Sequence, residues 1–181
     1  MATQPKGGLL FDAFMTRNQS GRAATAFLAE LLKRNAHLTG TVLDLPRAVA
    51  AARETARREH LDGRMDAVEG SFFHHIPSDA DAYILASNLH DWPDDAVVRI
   101  LRACRAAMPP HGSLLLIEQV LGEPNTDLVF SAESDITMMV LLGGKERTRA
   151  SFVALLEAAG LTLVDAVCTP TLFSVLTAHP A

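Results

Sequence analysis

Ser113-Leu114-Leu115-Leu116-Ile117-Glu118 is an unbroken apolar run closed by an acid. A strand without a polar alternate face has to be covered on both sides, which calls for helices above and below a largely parallel sheet. The rest of the chain keeps that rhythm. Thr41-Val42-Leu43-Asp44-Leu45-Pro46, Met65 to Glu69 and Ala82-Tyr83-Ile84-Leu85 read as further short strands. Between them, Ala23, Phe27, Leu28, Leu31 and Leu32 recur at helical spacing over Arg22 to Arg34, and Ala48 to Glu59 and Ala96 to Met108 are also helical. Strands alternating with helices imply a layered α/β fold.

The last third changes character. Leu128 to Leu142 reads as a helix whose Met138-Met139-Val140-Leu141-Leu142 end is core, and Gly143-Gly144 stops it. Ser151 to Ala159 is a helix capped by Thr148 or Ser151, and Leu161 to Val167 with Leu172 to Thr177 forms an antiparallel hairpin at a sheet edge. At the other end, Leu9, Leu10, Phe11, Phe14 and Met15 make a short apolar burst too brief to separate a strand from a helix remnant.

One domain accounts for 181 residues, and 49% hydrophobic with 20% charged residues is a globular profile. A net charge of -5 offers nothing to a nucleic acid or an acidic membrane. Arg53, Arg57, Arg58 and Arg64 do cluster, but Glu54, Glu59, Asp62 and Asp66 are interleaved with them, as on a solvated helix face. Cys104 and Cys168 are too far apart to suggest a disulfide framework or a zinc spacing, and His74, His75 and His111 lack ligand-spaced partners, so no metal is expected. With no signal or membrane-spanning run, a cytoplasmic location is the default expectation.

Chemistry is expected at Asn88-Leu89-His90-Asp91-Trp92, where a strand gives way to a helix. Open α/β sheets bind ligands at the C-terminal ends of their strands. Asp91 or Asp94 suits the cap of the following helix and Pro93 its first turn. A histidine at such a lip is suited to act as a base, since its ordinary pKa is close to neutral.

Val42-Leu43-Asp44-Leu45-Pro46, Gly70-Ser71-Phe72-Phe73, Leu89-His90-Asp91-Trp92, Ile117-Glu118 and Gly143-Gly144-Lys145-Glu146-Arg147-Thr148 stand in one order and spacing. In that pattern the chain resembles the S-adenosylmethionine-dependent small-molecule O-methyltransferases, the group of the plant caffeate and acetylserotonin enzymes and bacterial polyketide-tailoring ones. The resemblance implies a Rossmann-like class I methyltransferase sheet, parallel except for a C-terminal antiparallel hairpin. It implies methyl transfer to a hydroxyl of a small aromatic or polyketide-like metabolite, with His90 as general base and Glu118 and Glu146 flanking its ring. For S-adenosylmethionine it assigns Asp44 to the ribose, Gly70 and Ser71 to the loop on the adenine side, and Phe72 to packing against adenine.

The pattern also has gaps. Family register puts the strand-end acid and glycine turn that cradle the cofactor near Gln19 to Thr25, where only Gly21 remains, and Thr16 to Ser20 is too polar for a central strand. The burst at Leu9 to Phe14, with Asp12 inside it, is the available substitute strand. Ser71 replaces the usual aspartate, and Ala86 stands where many members have lysine. The expected organisation is therefore a degenerate segment, 1–25, followed by a methyltransferase-like catalytic domain, 26–181, without the family's helical dimerisation domain. An enzyme is the first expectation. The alternative is a cofactor-free ligand-binding or partner protein, or half of a split methyltransferase working as a homodimer or with a chain that supplies the missing elements.

Overall fold

The computed structural model describes residues 8–12, 21–78 and 80–181. Its sheet runs in the order β3-β2-β1-β4-β5-β8-β7, with the two-residue β6 (Arg147–Thr148) paired to β5 outside that path. β1 (Gly8–Asp12), β2 (Thr39–Asp44), β3 (Met65–Glu69), β4 (Ala82–Ala86) and β5 (Ser113–Leu121) are all parallel. β7 (Leu161–Cys168) and β8 (Phe173–Pro180) close one side as the expected antiparallel hairpin, β8 pairing with β5 and β7 forming the outer edge.

β1 corrects the expected boundary at residue 26. Gly8–Asp12 lies between β2 and β4, with Phe11 in register with Val42 on one side and Ile84 on the other. The first strand is therefore present, and the folded unit reaches into 1–25. Leu9-Leu10-Phe11 has the unbroken apolar character that a strand with neighbours on both sides requires. Residues 13–20, including Gln19 and Ser20 of the expected turn, lie outside the described residues.

Helices cover both faces of the sheet. On one, Leu28 and Leu32 of α1 (Gly21–Arg34) and Val49 and Ala52 of α2 (Pro46–Arg58) pack on Val42, Ala67 and Ile84. On the other, Val97, Ile100 and Leu101 of α3 (Asp94–Ala107) and Phe152 and Leu156 of α5 (Arg149–Ala158) pack on Leu85, Leu114, Leu116 and Leu176. Thr148 caps α5, its hydroxyl accepting from the Ser151 amide. Pro46 starts α2 rather than ending β2, because a fixed φ and a missing N–H suit the first helical turn.

Two expectations fail on the active-site side. Pro93, not an aspartate, occupies the N-cap of α3; Asp94 sits inside the first turn and is drawn away by two basic side chains described below. The C-terminal end of α4 (Leu128–Leu141) is not core: Met139, Val140 and Leu141 are exposed, Val140 by 73%. Among the side chains described on α4 only Ser131 is buried, and Val129, Ile136, Met139, Val140 and Leu141 are turned outward.

Candidate active site

Four of the parallel strands end within a residue of one another, and the site is built on that shared lip. Asp12 pairs with Leu43 and Leu85 and Asp44 with Glu69, so the ends of β1 to β4 align, while β5 passes the level of Ala86 at Ile117 and runs on to Leu121. After β4, Ser87 takes a φ of 46°, a left-handed conformation uncommon for a side chain with a Cβ, and the chain folds into one 3-10 turn, Leu89–Asp91. Glu118 of β5 holds that turn. Its Oε1 accepts the amides of Asn88 and Leu89, both at 2.8 Å.

The other oxygen of Glu118 faces histidine. His90 Nδ1 lies 3.2 Å from Glu118 Oε2 and 4.0 Å from Glu146 Oε1, while Nε2 is 3.3 Å from Asp91 Oδ1. None of the three is aligned as a hydrogen bond, and all are ion-pair distances. The imidazole keeps 17% of its surface in contact with solvent, whereas the Glu118 side chain has 0%. His90, Glu118 and Glu146 thus converge as the sequence led one to expect.

Three carboxyl groups around one ring have a strong electrostatic consequence. Burial lowers the pKa of His90, but Asp91, Glu118 and Glu146 outweigh it and push the value up to about 10. Burial also raises the Glu146 carboxyl above its ordinary range, against the Ser134 hydroxyl that donates to its Oε1 at 2.7 Å.

The segment 143–147 clamps the turn from outside. Lys145 N donates to His90 O at 2.9 Å, and Gly144 is packed so closely that a Cβ there would lie 1.9 Å from His90 O. Arg147, 2% exposed, donates to Leu89 O at 2.8 Å and Trp92 O at 2.7 Å, the carbonyls on either side of His90 and Asp91. Its Nε and Nη2 also reach Asp94 Oδ1 at 3.0 and 2.8 Å, and Lys145 Nζ reaches Oδ2 at 2.7 Å. These two cations hold the Asp94 carboxyl below its usual range although burial works the other way. Sequence reasoning assigned nothing to Arg147 and gave Asp91 only a capping role. An arginine beside a glycine turn and an acid beside a histidine were the available signals.

A second region opens at the ends of β2 and β3. A cavity of about 550 Å³ is lined by Leu43, Leu45, Gly70, Ser71, His74 and Pro77 among others. Asp44 lies beside it in the chain and is buried; its Oδ1 accepts the Leu45 amide at 2.7 Å, while Oδ2 has no partner. Burial raises the Asp44 carboxyl despite that amide. A Cβ on Gly70 would meet Leu43 Cδ1 at 2.5 Å, so glycine keeps the cavity wall thin. Gly21 opens α1. Phe72 departs from expectation. Its ring is fully buried, stands edge-on to Phe73 and Trp92 at 4.8 and 6.0 Å between centroids, and does not line the cavity. Gly70 and Ser71 take the cavity side, while Phe72 and Phe73 turn to the core.

Comparisons with known proteins agree with this architecture. A family model described as an O-methyltransferase domain matches residues 11–162. Phenazine O-methyltransferase PhzM of Lysobacter antibioticus is 36% identical over 170 residues, 94% of this chain and 50% of that protein. The mitomycin biosynthesis 6-O-methyltransferase of Streptomyces lavendulae is 38% identical over 152 residues, 83% of this chain and 43% of its own. The solved structure of LaPhzM superposes with a TM-score of 0.86 at 33% identity, covering 100% of this chain and 52% of that one. NcsB1 from neocarzinostatin biosynthesis, solved with S-adenosylmethionine and 2-hydroxy-5-methyl naphthoic acid, gives a TM-score of 0.84 at 32% identity, covering 97% and 49%. The chain thus spans about half the length of the relatives it matches. By sheet order, site geometry and sequence, it belongs to the O-methyltransferase domain family.

Proposed function

We propose that this chain carries the catalytic half of an S-adenosylmethionine-dependent O-methyltransferase acting on a hydroxyl of a small aromatic or polyketide-like metabolite. The carrying observation is the His90 ring, held 3.2 Å from Glu118 with Glu146 behind it and one edge open at the lip of the sheet. When bound, the cofactor supplies an electrophilic sulfonium methyl, so the chain's own residues have two tasks, alignment and removal of one proton. His90 takes that proton at Nε2. Glu118 holds the ring through Nδ1 and holds the turn through its second oxygen, and Glu146 adds negative charge that stabilises the imidazolium formed.

The residues present fit the adenosine half of the cofactor. Asp44 Oδ2 is buried without a donor, as suits an acid awaiting the two hydroxyls of a ribose, and the cavity beside it is thin-walled at Gly70. Asp12, ending β1 at the same lip, stands where the family has a strand-end acid. That the central strand exists at all favours the enzyme over a cofactor-free binding protein. Free Cys104 and Cys168 suit a cytoplasmic setting.

A second chain belongs to the same reading. The apolar face of α4, with Val129, Ile136, Met139, Val140 and Leu141 exposed, is what a helical half of the kind the family carries would cover. Calorimetric titration with S-adenosylhomocysteine tests the proposal. Micromolar binding lost in Asp44→Ala, followed by methylation of phenolic acceptors that His90→Ala abolishes and that rises when a relative's helical half is added as a separate chain, is expected. No heat at millimolar ligand from the folded chain would overturn it.

A further inference from the structure

The third carboxylate on His90, that of Asp91, has no place in the proton-removal scheme above. Asp91 is 5% exposed, and neither of its oxygens has a hydrogen-bond donor, an arrangement that costs free energy unless a charge compensates it. Among the described residues, the cation close to it is the His90 ring, through Nε2 at 3.3 Å. That is the nitrogen pointing away from Glu118, the one a hydroxyl would have to reach. Glu118 from β5 and Glu146 from the segment before β6 face the opposite nitrogen, and Asp135 of α4 lies behind Glu146. The nearby cations are committed elsewhere, Arg147 to Leu89 O, Trp92 O and Asp94, and Lys145 to Asp94.

We infer that Asp91 is a positioning residue that holds the outward nitrogen of His90 in the ligand-free chain, so that the ring rests as a doubly clamped imidazolium and becomes a base only when an acceptor displaces Asp91. The inference deepens the methyltransferase reading and rests on it for the identity of the acceptor. Proton balance follows directly. On displacement the Nε2 proton leaves to solvent, the neutral ring takes the acceptor's hydroxyl proton at the same atom, and renewed contact with Asp91 stabilises the imidazolium left at the end of the cycle. Without an acceptor the site holds no free base, which suits a pocket that would otherwise stand open beside a reactive sulfonium.

The test is a pH titration of the histidine side chains of the whole chain by NMR, with His90 assigned through His90→Gln. In the wild type, His90 should titrate far above the ordinary histidine value, and in Asp91→Asn its apparent pKa should fall by at least about one unit, with Asp91→Glu keeping most of the elevation. In turnover, the rise of kcat/KM with pH should move to lower pH in Asp91→Asn, and the variant should lose more in kcat than in KM. A wild-type His90 titrating near the ordinary histidine value, or an Asp91→Asn His90 within a few tenths of a unit of wild type, overturns the inference. The titration needs no activity. A raised His90 that responds to Asp91 in a chain with no methylation would support the clamp and sink the methyltransferase reading alone.

Discussion

Gly144 has no room for a methyl group. Its Cβ would lie 1.9 Å from His90 O and 2.6 Å from the Asp91 carbonyl carbon, both backbone atoms that no side-chain rotation can clear. Gly144→Ala must therefore move the catalytic turn or the segment 143–147, and overpacking of this kind costs about 3 kcal/mol or more. We expect a urea midpoint well below wild type and a displaced His90 resonance; a variant with both unchanged would mean that the segment does not pin the turn. The same residue illustrates what a sequence conceals. Gly143-Gly144 reads as a helix stop, and Gly143 does take a φ of 75°, but the need for glycine at 144 comes from a turn more than fifty residues earlier. His90, Glu118 and Glu146 were legible because each stands within a recognisable motif, although β5 runs on past Glu118 to Leu121. Asp91 and Arg147 were not, because their roles depend on which atoms tertiary packing brings to them. Phe72 was misread because adjacency to Gly70 does not say which way a ring turns.

Among the elements, β1 and α4 depart furthest from what their sequences suggest, for opposite reasons. Gly8–Asp12 is a five-residue apolar burst whose conformation is decided by neighbours on both sides, which no local pattern reveals. Leu128–Leu141 is a strong apolar pattern that implies burial, yet Val129, Ile136, Met139, Val140 and Leu141 face outward. A helix held mainly through Ser131, whose hydroxyl accepts from the Gln119 amide, Ser134 to Glu146, and Asp135, which accepts the Glu146 amide, gains little from burial. Its amides should exchange with solvent faster than those of α3 or α5 in the isolated chain. Replacing Met139 and Val140 together by lysine should change the unfolding free energy by no more than about 0.5 kcal/mol. Leu156→Ala in α5, at a fully buried position, should cost roughly 2 to 5 kcal/mol. Slow exchange across α4, or a lysine pair as damaging as the α5 variant, would mean that α4 is packed more firmly than its exposure indicates.

At the scale of the molecule, a largely parallel sheet with an antiparallel edge hairpin was legible because strands alternating with helices leave few alternatives, but the balance of charge around the site was not. His90 carries a folded pKa of about 10 against an ordinary 6.5. A raised value means that the folded chain holds the proton more tightly than the unfolded chain. Its stabilising contribution is complete below about pH 6.5 and is lost as pH rises through about 10. Asp44 and Glu146 are raised as well, by burial, so their contributions also shrink as pH rises through their folded values. Asp94 works the other way: held down by Lys145 and Arg147, it stabilises above its ordinary value and loses that contribution on acidification. Its side chain is half-exposed, so solvent screens the effect. The chain should accordingly be most stable in mildly acidic solution and lose stability steadily from neutral to alkaline pH. Urea unfolding followed across that range checks it. A falling midpoint in the wild type that becomes nearly flat in His90→Gln is the expected result, and a wild-type midpoint that holds level or rises over the same interval would mean that the three carboxyl groups do not keep His90 charged.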